Sequence, residues 1–238
     1  MKKQILVTDS YSPLYKQLIS KLRGDIQIGV YPVHSRIPSE QELCDTYQVS
    51  RVTVRKALAE LTQEGLLLRH QGKGTFVGVP RIRKDLREIN SFHDACRMMG
   101  CTPATRILHA QFVHADAEDA EKLNCDVGAQ IVELVRLRLA DDMPVMLETN
   151  HFPESYGWLL EQDLTGSLYE VLAEHDVEPH QAVHDVSLSY AGATQAKALD
   201  IGVGDALLTL DEIIYDQHGQ PLHTSHQVIR GDRFTFRI

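Results

Sequence analysis

Residues 37–79, IPSEQELCDTYQVSRVTVRKALAELTQEGLLLRHQGKGTFVGV, leave this chain little choice of fold. Ser39 followed three positions on by Glu42 is a capping box, so a helix starts here and runs to about Tyr47. Pro38 cannot continue a preceding helix, which fixes that start. Gln48-Val49 is a short turn, and Ser50 caps a second helix reaching about Glu64. Val49 and Val54 stand at staple positions, and Val54, Ala57, Leu58 and Leu61 make the buried stripe. Gly65 ends the helix. Residues 66–70 then read as a strand, 71–74 as a tight turn and 75–79 as the return strand. A helix from Pro13 to Gly29, with Leu14, Leu18, Ile19, Leu22 and Ile26 inward, completes a three-helix core.

The second helix of that stretch keeps Arg51, Val52 and Arg55 on its outer face, with Thr53 and Lys56 beside them. Two short helices about a tight turn, the second basic and hydroxylic at its start, followed by a hairpin, predict a winged helix-turn-helix. Arginine reads guanine O6 and N7 bidentately, while serine and threonine hold phosphates, so this face suits a major groove. Lys73, flanked by Gly72 and Gly74 at the hairpin tip, can approach a minor groove or a phosphate without steric cost. A plain helical domain with a solvated basic face would explain the charges, but not caps, turn and hairpin in one order.

Pro38-Ser39-Glu40, residues 49–55, Glu64-Gly65-Leu66 and residues 72–77 resemble the winged helix-turn-helix of the GntR family of bacterial transcription regulators. The resemblance implies DNA contacts from Ser39, Gln41, Ser50, Arg51, Val52, Thr53 and Arg55, and from Gln71, Gly72 and Lys73 on the wing. Gln41 stands where the family usually has arginine.

Charge separates two domains. Residues 1–79 hold 11 Lys and Arg against 7 Asp and Glu, and the remainder holds 13 against 26. A basic terminal module on an acidic chain is a local nucleic-acid binder, and the acidic part must do something else. No apolar run approaches the ~20 residues of a membrane span. Met1-Lys2-Lys3 with its short apolar sequel is no signal peptide. Cys44, Cys96, Cys101 and Cys125 form no CxxC pair and read as reduced thiols, so a cytoplasmic location is expected. Residues 80–87, polar and basic, read as a linker, either a solvated connector or an added phosphate contact. A second domain, 88–238, opens with a helix over 91–99 whose inner side is Phe92, Ala95, Cys96 and Met99.

That domain repeats itself. Shifted along the chain, Ala117, Ala120, Leu123 and Gly128 fall on Ala193, Ala196, Leu199 and Gly204. Each half runs helix, glycine turn, apolar strand, polar turn, proline, second strand: strands 131–140 and 144–150, then 207–215 and 221–228. Two such units predict an α+β domain with an antiparallel sheet and a cleft between its halves. Arg136 and Arg138 leave one strand face, roughly 7 Å apart along it. Their repeat mates are Glu212 and Ile214, so the sheet itself does not require arginine there. Glu148 lies on the return strand of the same hairpin, and Ser167 opens a helix with Leu168, Val171 and Leu172 inward. Paired arginines and a hydroxyl-bearing helix start can hold a phosphate. The alternative is that the arginines form surface ion pairs and Ser167 is only a cap.

Arg136-x-Arg138, Pro144, Glu148, Phe152-Pro153, Ser167-Leu168-Tyr169 and Arg230-Gly231-Asp232-Arg233-Phe234 resemble the UTRA effector domain of HutC-type GntR regulators. The resemblance implies a fold similar to chorismate lyase that serves as a sensor and dimerises. In members that sense amino-sugar phosphates, the positions matching Arg136, Arg138, Ser167 and Tyr169 take the phosphate. Those matching Ile89, Asn90, Glu148 and His223 line the sugar site.

Nothing else in the chain has comparable force. His180 and His184 are four apart, but residues 185–190 read as strand, so no metal site is expected and no cofactor. There is no GxSxG elbow and no full dinucleotide fingerprint. The expectation is therefore a ligand-responsive regulator: a repressor that binds a near-palindromic operator as a homodimer and is released by a phosphorylated sugar or amino-sugar. Rival readings are an enzyme of chorismate-lyase-like fold and a DNA binder whose acidic domain only dimerises. No acid/base pair supports the enzyme.

Overall fold

The computed structural model describes residues 12–70, 72–78 and 81–237, divided into two compact units between Arg81 and Ile82. Expectations that fall on residues 1–11, Gln71, Val79 and Pro80 lie outside the described residues.

In the first unit, α1 (Leu14–Gln27), α2 (Glu40–Tyr47) and α3 (Arg51–Gln63) precede a hairpin of β1 (Leu67–His70) and β2 (Gly74–Val77). Both halves of the capping box form: Glu42 N–H donates to Ser39 Oγ, and Ser39 N–H donates to Glu42 Oε2 at 2.7 Å. Gln48, at φ 54°, closes α2 in the left-handed region, and Ser50 Oγ accepts from Thr53 N–H at 3.1 Å to start α3. Leu18, Leu22, Leu43, Val54, Leu61 and Leu67 form a core with no exposure. The winged helix is thus held by helix caps and one apolar centre.

The second unit is α+β. Its six-stranded antiparallel sheet runs β4 (Pro103–His114), β5 (Gln130–Ala140), β6 (Met143–Pro153), β9 (Pro221–Arg230), β8 (Ala206–Asp216), β7 (Pro179–Tyr190). The repeat is its axis: β4-β5-β6 and β7-β8-β9 mirror each other, with β6 and β9 paired at the centre. Helices α5 (Ala117–Leu123) and α7 (Ala193–Leu199) occupy matching places and both end on left-handed residues, Asn124 and Asp200. Both pack on one sheet face, against Ile131, Leu137, Leu207 and Val228. The other face carries α4 (Phe92–Met99), a 3-10 helix (Glu154–Glu161) and α6 (Leu168–Ala173).

Three strands depart from expectation. Residues 82–85, read above as linker, form β3 (Ile82–Asp85), which pairs in parallel with β10 (Phe234–Arg237). Its alternating Ile82 and Lys84 resemble a solvated basic run, and only the distant partner strand reveals the pairing. The sheet edges β4 and most of β7 were also absent from the reading, because both of their faces are largely exposed and the polar–apolar alternation is weak. His180 and His184 both lie on β7, so about 13 Å separates them along the strand. Among the described residues no group of His, Cys, Asp or Glu could hold a metal, and no helix is long and apolar enough to cross a membrane.

Candidate functional site

In the first unit, α3 turns Arg51, Val52 and Arg55 outward, and Val52 is 76% exposed. An apolar side chain left so open on a basic face suits contact with a thymine methyl. The arginines are held in place by α2. Arg51 Nη2 donates to Gln41 Oε1 at 2.6 Å, and Arg55 Nε donates to Glu40 Oε2 at 2.8 Å. Arg69 of β1 donates to the other oxygen of Glu40 at 3.3 Å. Gln41 therefore accepts from Arg51, which an arginine at position 41 would repel. Ser39 and Ser50 spend their oxygens as caps, and Thr53 is half-buried with Oγ1 2.9 Å from Ser50 Oγ. Lys56 lies over the Tyr15 ring at 3.7 Å, turned toward α1 and away from that face. Lys73 is exposed next to Gly72, whose φ of 76° favours glycine. Glu40 and Arg69 were not singled out from sequence. Arg69 gives no local sign of its role, since the contact spans 29 positions.

In the second unit a cavity lies on the sheet face beneath α4 and β3. It brings together six of the eight expected residues: Asn90, Arg136, Arg138, Glu148, Tyr169 and His223. Ile89 and Ser167 do not line it. Ser167 is buried but its Oγ accepts from Glu170 N–H at 3.4 Å as the cap of α6, which has only six residues.

The arginines are not surface ion pairs. Arg136 and Arg138 are 1% and 3% exposed, and both donate to Glu148 Oε2 at 2.8 Å. The sheet makes this geometry, because Arg136 and Glu148 are directly paired across β5 and β6. Arg138 also donates to Thr105 Oγ1 at 2.8 Å, and Arg136 to Asn150 Oδ1 at 3.0 Å. Arg136 Nε and Nη1 have no hydrogen-bond partner among the described residues. Buried guanidinium N–H groups without an acceptor are costly, and an anion entering the cavity would relieve that cost. Burial and the adjacent Arg138 push the Arg136 pKa down, while Glu148 pulls it back. Burial pushes Glu148 up, but the two arginines outweigh it and hold the carboxyl at about 2.

His223 is the neutral member. Burial pushes its pKa down to about 4. Its Nδ1 lies 3.0 Å from Thr224 O, so Nδ1 carries the hydrogen and the buried, unpartnered Nε2 is an acceptor. Its ring packs on Phe152 at 4.7 Å between centroids and faces Tyr169 at 6.1 Å. Lys84, Glu212 and Gln227 also line the cavity, a second polar group beyond the expected set. The free volume enclosed is about 30 Å³, room for a water or two.

Comparison with known proteins matches each of the two units to a family. Residues 14–77 match the family described as bacterial regulatory proteins, gntR family, and residues 98–235 match the UTRA domain. The chain is 34% identical over 226 residues to the HTH-type transcriptional repressor NagR of Bacillus subtilis (strain 168), covering 94% of this chain and 93% of that protein. It is 33% identical over 236 residues to the probable fructoselysine utilization operon transcriptional repressor of Escherichia coli (strain K12), with 97% of each covered. Among solved structures, PhnF from Mycobacterium smegmatis superposes with a TM-score of 0.85 at 28% identity, covering 94% of this chain and 97% of that one.

Proposed function

This chain belongs to the gntR family of bacterial regulatory proteins and carries a UTRA domain, and from that premise we propose that it is a repressor released by a phosphorylated sugar or amino-sugar bound in the Arg136–Arg138 cavity. The observation that carries the effector is Arg136, a fully buried guanidinium with two N–H-bearing atoms unpartnered among the described residues. A phosphate supplies planar acceptors for such a fork. Glu148, Asn90 and the free Nε2 of His223 supply acceptors and donors for sugar hydroxyls. One relative named above, a probable fructoselysine utilization operon transcriptional repressor, fits this class.

The wing and α3 contact the operator through Arg51, Val52, Thr53, Arg55, Gly72 and Lys73, with Glu40 and Gln41 orienting the arginines. One winged helix covers a half-site, so a homodimer on a near-palindrome follows. The more apolar of the two sheet edges is β7, where Val186, Leu188 and Tyr190 are 44%, 63% and 65% exposed. Such a patch on an unpaired edge calls for a partner. Release works by linkage: β3 and α4 line the cavity that takes the effector, and β3 is the first element after Arg81. An enzymatic role is disfavoured by the site itself, since a carboxyl held at about 2 by two arginines is a poor proton carrier at neutral pH. The binding step is tested by calorimetry with hexose 6-phosphates beside their unphosphorylated parents. Saturable heat with the phosphates alone supports the reading, and equal heat with the parents overturns it.

A further inference from the structure

Helix α4 closes on a pair of cysteines. Gly100, at φ 74°, is left-handed, and its N–H donates to Arg97 O at 3.0 Å. Cys101 N–H donates to Cys96 O at 3.1 Å. These two bonds are a Schellman closure, which brings the side chains at its two ends together, ordinarily as an apolar contact. The sequence repeat supplies the ordinary case. Shifted by 76 residues, as Ala117 falls on Ala193, Cys96 and Cys101 fall on Leu172 and Val177. There α6 ends in the same way, with Asp176 left-handed at φ 58° and Val177 N–H donating to Leu172 O at 3.1 Å. Leu172 and Val177 both belong to the apolar core. The closure is therefore satisfied by two aliphatic side chains, and nothing in the backbone asks for two thiols.

The thiols of Cys96 and Cys101 hydrogen-bond each other, and Cys101 Sγ also lies 3.3 Å from Cys96 O. The two sulfurs differ in access. Cys96 has no exposure and packs in the core with Val145 and Phe234, whereas Cys101 is half-buried. The Cys96 hydrogen bond favours the Cys101 thiolate and lowers that pKa against burial. The same bond, together with burial, pushes Cys96 up. Cys125, also half-buried, is pushed up by burial and by Asp119, so it is the less ionised thiol. An accessible thiolate touching a buried, protonated thiol is the arrangement of a redox pair, in which the first sulfur meets the oxidant and the second resolves it.

We propose that Cys96 and Cys101 are a peroxide-sensitive dithiol, converted to an intramolecular disulfide through a sulfenic acid on Cys101. The Cys101 sulfur attacks one oxygen of hydrogen peroxide, the O–O bond breaks, and the departing hydroxide takes a proton to become water. The Cys96 sulfur then attacks the Cys101 sulfur. The S–S bond forms, the S–O bond breaks, and the hydroxyl leaves with the Cys96 proton as a second water. Two thiols lose two electrons and one peroxide gains them. The new bond staples the last turn of α4 across its cap. Phe92 and Ala95 of that helix line the cavity, and the Phe92 ring centre lies 5.4 Å from the Arg138 guanidinium. Oxidation therefore fixes a wall of the cavity without touching its arginines.

The test treats the full-length protein with equimolar hydrogen peroxide and counts thiols after denaturation. The count falls from four to two, and dithiothreitol restores it. Arg97 lies between the two cysteines, so trypsin leaves them on separate peptides, 88–97 and 98–106, which non-reducing mass spectrometry finds joined. Cys101→Ser abolishes the link and leaves Cys96 reduced. Cys96→Ala stops the reaction at a sulfenic acid on Cys101 that dimedone traps, and Cys125→Ser forms the link as wild type does. Unjoined peptides, with Cys96 and Cys101 still reduced once Cys125 is oxidised, overturn the proposal. A link whose yield rises with protein concentration marks a bridge between chains and overturns it too. So does a sulfenic acid that accumulates on Cys101 in the wild type, since Cys96 would then resolve nothing.

Discussion

Arg136 Nη2 and Glu148 Oε2 lie 2.8 Å apart, directly opposite each other on neighbouring strands, with both side chains buried. One contact engages only part of the guanidinium. Nε and Nη1 remain without a partner among the described residues, and Arg136 lines the cavity. The sheet thus builds a half-satisfied cation into its interior, which costs stability and reserves binding energy for an anion. This pairing ties the effector reading to the fold.

Replacing Arg51 or Arg55 with alanine should weaken operator binding by about 1–3 kcal/mol each and relax specificity at the base read. Lys73→Ala should weaken operator and random DNA alike and flatten the salt dependence. Gln41→Ala should act through Arg51, so its loss should largely vanish in the Arg51→Ala background. Anisotropy titrations on operator and scrambled duplexes at two salt concentrations check all three. Unchanged operator affinity in Arg51→Ala and Arg55→Ala would show that another face reads the DNA.

The chain should sediment as a dimer at micromolar concentration without DNA. Leu188→Glu, a change at a residue 63% exposed and outside the apolar core, should shift the population to monomer and weaken operator binding with it. A wild-type monomer in sedimentation would count against the sensor as dimerisation unit.

Acid should loosen the sensor before its carboxylates protonate. His223, buried, titrates at about 4 in the fold against an ordinary 6.5, so between these values the unfolded chain binds the extra proton. Stability from this group is therefore present above pH 6.5 and is lost as pH falls toward 4. His93, also lowered by burial, adds in the same sense. Glu148, held at about 2, contributes stability that is lost only at lower pH, from the ordinary 4.5 down. Melting temperatures measured from pH 7 to 4.5 should fall in the wild type and fall less in His223→Gln. Parallel curves for the two proteins would contradict the assignment.

Much of this was legible in the residues. Caps at Ser39 and Ser50 and the helical stripe of α3 act locally, so the first unit could be read almost element by element. The repeat placed β5, β6, β8 and β9, because helix, glycine turn and proline recur at the same spacing in both halves. What escaped depends on distant partners. β3 is a strand only because β10, some 150 positions later, pairs with it. Lys84 and Glu212, 128 positions apart, join the cavity for the same reason, and Glu212 figured in the sequence only as evidence that Arg136 was optional. Ser167 is a different case, a cap legible in the sequence that does not line the cavity. Its oxygen accepts from Glu170 N–H as the cap of α6, the alternative weighed from the sequence, and its O–H remains a donor.

The central claim is that a phosphorylated ligand, gripped by Arg136 and Arg138, releases the protein from DNA. The most direct measurement is operator release, followed by anisotropy, across a panel pairing each sugar phosphate with its parent sugar, for wild type and Arg136→Ala. Loss of one charged partner in a buried site costs about 1.5–3 kcal/mol, so the variant should need roughly ten- to a hundredfold more effector. The account predicts release of the wild type by a phosphate and not by its parent, with Arg136→Ala still bound to operator at that concentration. Release by the parent sugar as readily as by the phosphate, together with a wild-type response from Arg136→Ala, would contradict it.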